Sequence, residues 1–600
     1  MKWTLVFWAT LFLSILEAQS SNLEQMVPSN PFFVAQHPNI SQTIQGLKNT
    51  WIGQVFSHPE TQLYLQPLLE KMKEGIQQLE QGLNLSCSSL CDNFSGQVIF
   101  SLIRFSPQAG PQSIEALLAV HISNSELTQS LIQRVVQTIQ ENINTPILSN
   151  PIIAGVPTTC ITDSRDNIDL VFGILNNQIL LVTVGKSTFE QAVSRYSQKG
   201  DSLAQSESYQ TVKENLTNGQ LAAMAYLNLD VLFEEFSAML PPPALSLLER
   251  LGLRSVRAAG FSLSFQEKSS IESIFLYSPE PTGLLATLIS KPMNPENLSK
   301  YPESLVYMGG VSMDWGRIYD EVMNLWAELD SRGFQRFQKD YDRAVGTLHF
   351  DIRRDLIGSL GQHLFLGIGS TYSSLPFPEG AISIEVTNPQ IFLDCLKKII
   401  QTTKLSPQTL SYAGKEIHYL DLSSPAKRGD TPLQLSICEV EPNMMLVTLN
   451  TNTLKNILNY QPKKSVAEKP DFTQLMQRML VENCIAMSYF ELAKGIDIFH
   501  GFMTYGVATR DFKRDFPMLN PALFPSNKVF AEGLPSLMSV LMRTPKGVAL
   551  KIASPIPIIP TFVGMGVGGA FMAARKASEP IFHDYKEEKA VEVKKPETPK

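Results

Sequence analysis

Histidine is scarce in this chain and charge is thin: 8 His, and 18% Asp, Glu, Lys and Arg, among 600 residues. The histidines are scattered, and no H-E-x-x-H pair or other metal-ligand spacing is present, so we expect neither a metal nor a cofactor. The G-x-S-x-G and P-loop spellings are missing as well, which leaves any catalytic residues unknown from sequence. A formal net charge of −7, from 50 basic and 57 acidic residues, gives no electrostatic reason to expect a nucleic-acid partner. Cysteine is also rare. Six in so long a chain do not make a disulfide scaffold. Cys395 and Cys438 read as small core residues, and Cys87 and Cys91 are the one pair close enough to bridge locally.

Apolar residues are plentiful. At 44% hydrophobic, with 32 Phe and 20 Met, this is the composition of a folded protein, and its length calls for more than one core. Met1-Lys2 opens on an apolar run from Trp3 to Leu16, followed by the small residues Ala18 and Ser20. That pattern reads as a secretory signal peptide over residues 1–20; the competing reading, an uncleaved anchor, needs a longer run.

The chain then writes one stretch twice. Gly96-Gln97-Val98-Ile99-Phe100 returns as Gly361-Gln362-His363-Leu364-Phe365, and Ile122-Ser123-Asn124 as Val386-Thr387-Asn388. Val135-Val136-Gln137-Thr138 returns as Ile399-Ile400-Gln401-Thr402, so the offsets are 361 − 96 = 265 and 399 − 135 = 264. Asn124 and Asn388 cap helices with apolar stripes: Leu127, Leu131, Ile132, Val135, Val136 and Ile139 in one, Ile391, Cys395, Leu396, Ile399 and Ile400 in the other. Hairpins follow at Asn176-Asn177 and Pro442-Asn443, then Ala223-Met224-Ala225-Tyr226 is echoed by Ala486-Met487-Ser488-Tyr489. Each copy closes on a strand and a proline pair, Ser278-Pro279-Glu280-Pro281 and Ser554-Pro555-Ile556-Pro557. Ahead of the first copy, Glu60 to Leu83 reads as a helix with an apolar stripe through Leu63, Leu65, Leu68, Leu69, Met72, Ile76 and Leu79.

The expected class is therefore α+β, as two tandem copies of a mostly antiparallel sheet-plus-helix unit of about 270 residues. The expected layout is signal peptide 1–20, first repeat 21–290, second repeat 291–557, an apolar Gly-rich segment 558–574 and a charged, disordered tail 575–600. Tyr226 and Tyr489, shared by both copies, read as positions that carry the fold.

Three motifs need weighing. Gly564-Met565-Gly566-Val567-Gly568-Gly569 has the spelling of a dinucleotide loop, but it follows Pro555, Pro557 and Pro560 and precedes a charged tail, so it lacks the strand and helix that chemistry needs. The same glycines sit in an uncharged run, residues 552–574, stopped by Arg575-Lys576, which points to membrane attachment. Its proline-free part, Thr561 to Ala574, reaches only about 21 Å as a helix, so a buried or interface-lying segment competes with a true span. Asp340-Tyr341-Asp342, with Arg343 beside it, is read as a solvated helix face, and His363 and His418 have no counterparts in the first copy.

The leader, the duplicated strand–helix–hairpin unit and the Ser-Pro-x-Pro strand end before a Gly/Ala-rich tail resemble a loose group of secreted bacterial proteins known only as domains of unknown function. That resemblance implies a cell-envelope or periplasmic protein and supplies no catalytic residue. The function expected is a non-catalytic, exported binding or structural protein. It would hold a protein, lipid or peptide partner between helices and sheet and attach to the membrane through residues 552–574. The alternative is an exported hydrolase whose site no motif betrays.

Overall fold

The computed structural model describes residues 22–560, apart from 84, 95, 107, 109, 143–145, 164–167, 199, 217–218, 290, 294–302, 304, 370–378, 403–404, 423–433 and 460–464. The leader, the Gly-rich motif and the charged tail therefore lie outside the described residues. Residues up to Ile556 form one compact unit.

Helices outweigh strands in length, and every strand pairing is antiparallel, which makes the class α+β. The first eleven strands are β1 (Phe33–His37), β2 (Val98–Arg104), β3 (Glu115–His121), β4 (Ile147–Ser149), β5 (Ile152–Ile153), β6 (Val156–Asp163), β7 (Ile168–Leu175), β8 (Ile179–Val184), β9 (Leu221–Asn228), β10 (Ala258–Gln266) and β11 (Ser269–Tyr277). The remainder are β12 (Leu305–Ser312), β13 (Leu360–Gly369), β14 (Glu379–Val386), β15 (Gln408–Tyr412), β16 (Lys415–Asp421), β17 (Gln434–Glu441), β18 (Met444–Thr448), β19 (Cys484–Phe490), β20 (Leu537–Thr544) and β21 (Gly547–Ser554).

The pairings run outward in both directions from β11–β21. On one side the order is β11-β10-β9-β1-β2-β3-β8-β7-β6-β4, with the short β5 also on β6. On the other it is β21-β20-β19-β12-β13-β14-β18-β17-β16-β15. The two series match step for step. Among the described residues no pairing joins β4 or β5 to β15, so the ladder is an open sheet.

Alternation along the central strands separates two unlike faces. One face is fully buried: Met224 and Tyr226 on β9, Phe275 on β11, Met538 and Val540 on β20 and Ala549 on β21 join a single core with Phe189, Tyr209 and Val212 of the helices Lys186–Gln198 and Glu207–Leu216. The close approach of the second of these helices explains Gly260, where a Cβ would stand 2.2 Å from Val212 Cγ1. Phe472 and Leu475 of the helix Pro470–Arg478 extend the same core across the other half.

The opposite face carries smaller clusters. The helix Ser125–Asn142 buries Leu131, Ile132, Val136 and Ile139 against Val120, Phe172 and Leu180, in the register read from sequence. In the helix Pro389–Gln401, Asn388 caps as expected, accepting from the Ile391 amide at 3.1 Å. The buried face keeps Cys395 and packs Leu396 as expected, but Phe392 is buried in place of Ile391, which is 43% exposed. Ile391 sits at the cap, where its backbone and not its side chain is engaged, and Phe392 takes the place in the core.

The long helix Pro59–Leu83 is present, but its apolar stripe is uncovered: every residue from Leu68 to Gln78 is exposed. Periodicity reports that a face exists and not what covers it. The expected attachment stretch is also shortened, because Ile552 to Ser554 end β21, where Ala553 is fully buried and the Ser270 hydroxyl donates to the Ser554 carbonyl at 3.1 Å.

The helices that follow β1 and β12, ahead of β2 and β13, rest on the opposite half. Trp51 Nε1 donates to the Phe530 carbonyl at 3.1 Å, the Ser526 amide donates to Glu60 Oε2 at 2.8 Å, and Tyr64 meets Phe524 edge-on at 5.5 Å. In the mirror arrangement, Glu328 of the helix Trp315–Leu329 accepts from Arg250 at 2.9 Å and from Ser246, both on the helix Pro242–Leu251.

Candidate binding face

The residues that the two halves share sit in the buried face. Tyr226 meets Tyr209 edge-on at 5.4 Å, and Tyr489 meets Phe472 edge-on at 5.3 Å. Both pairs lie beneath a carboxylate. Glu24 Oε1 accepts from the Tyr209 hydroxyl at 2.7 Å and from Lys213 Nζ at 2.6 Å. Asp471 Oδ2 accepts from Tyr489 at 2.5 Å and from Ser536 at 2.7 Å. Burial, then the Glu24 charge, push the Tyr209 phenol well above its ordinary value, and burial does the same to Tyr489. Burial opposes the Asp471 charge, but the hydrogen bonds from Tyr489 and Ser536 outweigh it and hold its pKa below the usual carboxylate range. A protonated phenol tied to a carboxylate inside a core acts as a brace.

The cysteines give the same answer. Cys160 is buried near Asp169, which also accepts from Thr162 at 2.5 Å and pairs with Lys186 at 3.2 Å. Burial first, and the Asp169 charge second, raise its thiol pKa. Burial pushes Cys484 to about 12. Neither thiol is a ready nucleophile. Among the described residues, no group of three or more His, Cys, Asp or Glu could hold a metal ion. His363 lies on β13 with Nε2 3.9 Å from Glu385, while His418 on β16 contacts Thr409 at 3.2 Å, so the structure does not bring the two together. Asp340 is exposed and pairs with Arg343 at 3.1 Å.

What stands out is the other face of the central strands. On β9 the residues between the buried ones are Ala223, Ala225 and Leu227; on β10 they are Ala259, Phe261, Leu263 and Phe265. All seven are half-buried, and none carries a polar side chain. Across β1 the row continues through Phe33 and Ala35, and across the centre through Ile274 and Leu276 of β11 and Leu550 and Ile552 of β21. Beyond the centre come Leu541 on β20, Ala486 and Phe490 on β19, and Tyr307 and Val311 on β12, again half-buried. Registers place these side chains in contiguous rows, for example Phe33 opposite Leu227 and Tyr307 opposite Phe490. Few charged groups interrupt the rows; Glu272, opposite Leu263, is one and is fully buried.

Helices cross this face and seal part of it: Val548, opposite Leu276, is buried with Ile289, and Leu285 and Leu541 pack against them, while β9 and β10 keep their half-buried row. Gly46 of the helix Ile40–Asn49 lies close on Phe265: a Cβ there would stand 3.0 Å from the ring. Phe236 of the helix Leu229–Phe236 reaches Phe32 at 6.2 Å. On β10 the sealed set is small or polar, Ala258, Gly260, Ser262 and Ser264, while the large apolar side chains lie on the half-buried face. Side-chain size and polarity in the sequence therefore do not mark which face is sealed.

Residues 95–308 match the model of a family described as a protein of unknown function (DUF3352). No curated protein matches. Among solved structures, crystal form III of TP0453 aligns at 11% identity and a TM-score of 0.23, over 44% of this chain and 82% of that one. Crystal form I of the same protein aligns at 12% identity and the same TM-score, over 44% and 81%. Among the described residues no helix is long and apolar enough to cross a membrane.

Proposed function

We propose that this is an exported, envelope-associated, non-catalytic protein that binds an elongated apolar ligand of the acyl-chain class along the open face of its central strands. The observation that carries the reading is the half-buried apolar row on β9 and β10, opposite a fully buried one. Leaving that much hydrocarbon half-wetted costs stability, on the order of 25 cal/mol per Å². A bound apolar molecule would recover it. Pockets for small molecules are lined in the same way, mostly apolar with few polar groups.

Export rests on the leader pattern of residues 1–20. Two tandem copies, 21–290 and 291–557, account for the matching strand orders on either side of β11–β21. Membrane attachment runs through the part of the uncharged stretch past Ile556, since Ile552 to Ser554 are committed to the sheet.

The test is titration of the purified full chain with an environment-sensitive acyl probe, beside Phe261→Asp and Phe56→Asp variants, Phe56 being exposed and away from both faces. Saturable uptake, abolished by Phe261→Asp and kept by Phe56→Asp, supports the reading. No saturable uptake by the unaltered chain overturns it.

A further inference from the structure

The helix Ile496–Ala508 is unlike the other surface helices of this protein. Apart from His500, Asp497 is its only acidic or basic residue, yet it lies on the outside. Phe499, Phe502 and Tyr505, spaced three apart, are 57%, 72% and 75% exposed. Successive steps of three keep them within one third of the helix circumference. The inner side is firmly held: His500 Nε2 lies 2.9 Å from the Pro525 carbonyl, and its ring packs on Phe524 and Phe530 at 5.7 and 5.6 Å. The aromatic stripe therefore faces outward in a fixed orientation.

Two neighbouring features say what such a stripe meets. The short helix Arg510–Asp515 follows at once and sets exposed Arg510 and Lys513 beside the half-exposed Phe516. Large aromatics bordered by basic side chains suit the boundary between acyl chains and anionic headgroups. Second, Ile556 packs against Trp51, Val55 and Val529 next to this helix, and the chain then continues into the uncharged residues 561–574 and Arg575-Lys576. At 13 residues the helix is about 20 Å long, too short to span a bilayer and long enough to lie on one.

We propose that the helix Ile496–Ala508 docks this protein onto an anionic lipid bilayer, with Phe499, Phe502 and Tyr505 entering the acyl boundary and Arg510 and Lys513 meeting headgroup phosphates. The contact is separate from the apolar ligand face of β9 and β10. It gives the envelope attachment proposed above an orientation, by fixing which side of the molecule lies against the lipid.

Full-length protein is mixed with phosphatidylcholine vesicles containing about a quarter phosphatidylglycerol, and with phosphatidylcholine alone. A Phe502→Trp variant reports depth through quenching by brominated acyl chains. A Phe502→Ser/Tyr505→Ser variant reports the contribution to binding, and both sites are exposed enough to leave the fold intact. The expected result is strong quenching at position 502, absent from the unaltered protein, with preference for anionic vesicles and a roughly tenfold loss of binding in the double variant. Vesicle binding with position 502 unquenched would assign attachment to the C-terminal stretch alone and overturn the proposal. So would a double variant that changes only the oligomeric mass, which would assign the stripe to a second copy of the chain.

Discussion

Ile274 and Leu550 lie directly opposite each other in the pairing of β11 with β21. Each stands four residues before a Ser-Pro pair, Ser278-Pro279 and Ser554-Pro555. Equivalent positions that face each other across an antiparallel pair place a local twofold axis between them, and both strand orders unroll from it. The two strand series thus meet at one shared edge, β11 against β21.

The halves should therefore depend on each other. Residues 21–290 alone would bare the β11 edge and strip Trp51 of its Phe530 partner. Light scattering on that fragment should show a dimer through β11, or insoluble material. A stable, folded monomer would contradict the shared-edge account.

The buried face of the helix Pro389–Gln401 can be tested by neighbouring substitutions. Phe392→Ala removes a side chain that is 5% exposed and should cost about 3–5 kcal/mol, while Ile391→Ala should stay within roughly 0.5 kcal/mol. Thermal melts of both variants check the register. Equal losses would put the helix back in the orientation that its sequence stripe suggested.

Acid should act through His37. Burial lowers its pKa from 6.5 to about 4, and its Nδ1 has no hydrogen-bond partner. Between those values the unfolded chain binds a proton that the folded one refuses, so stability present above pH 6.5 is lost as pH falls toward 4, by up to about 3 kcal/mol. Melting across that window should show a slope that His37→Gln flattens. An unchanged slope would place the acid sensitivity elsewhere.

Much of this architecture was legible in the letters. The caps Asn124 and Asn388, the hairpin turns and the constant offset near 265 set out two matching series of strands, because caps and turns are local chemistry. What lay beyond the letters was tertiary. Nothing in Leu69, Met72 and Ile76 shows that their helix face is uncovered. Nor does Phe261 differ in type from a sealed core residue. Likewise, the exchange of leading helices between halves depends on Glu60 meeting Ser526 and Arg250 meeting Glu328, single contacts with no periodic trace.

The central claim is that the open face of β9 and β10 is filled by an acyl-chain ligand. The most direct measurement is mass spectrometry of an organic extract of the full chain purified without detergent, with the Phe261→Asp variant extracted in parallel. The account predicts an acyl lipid near one molecule per chain that the variant loses while keeping its melting transition. An extract free of lipid, from protein that also fails to take up added lipid, would contradict it.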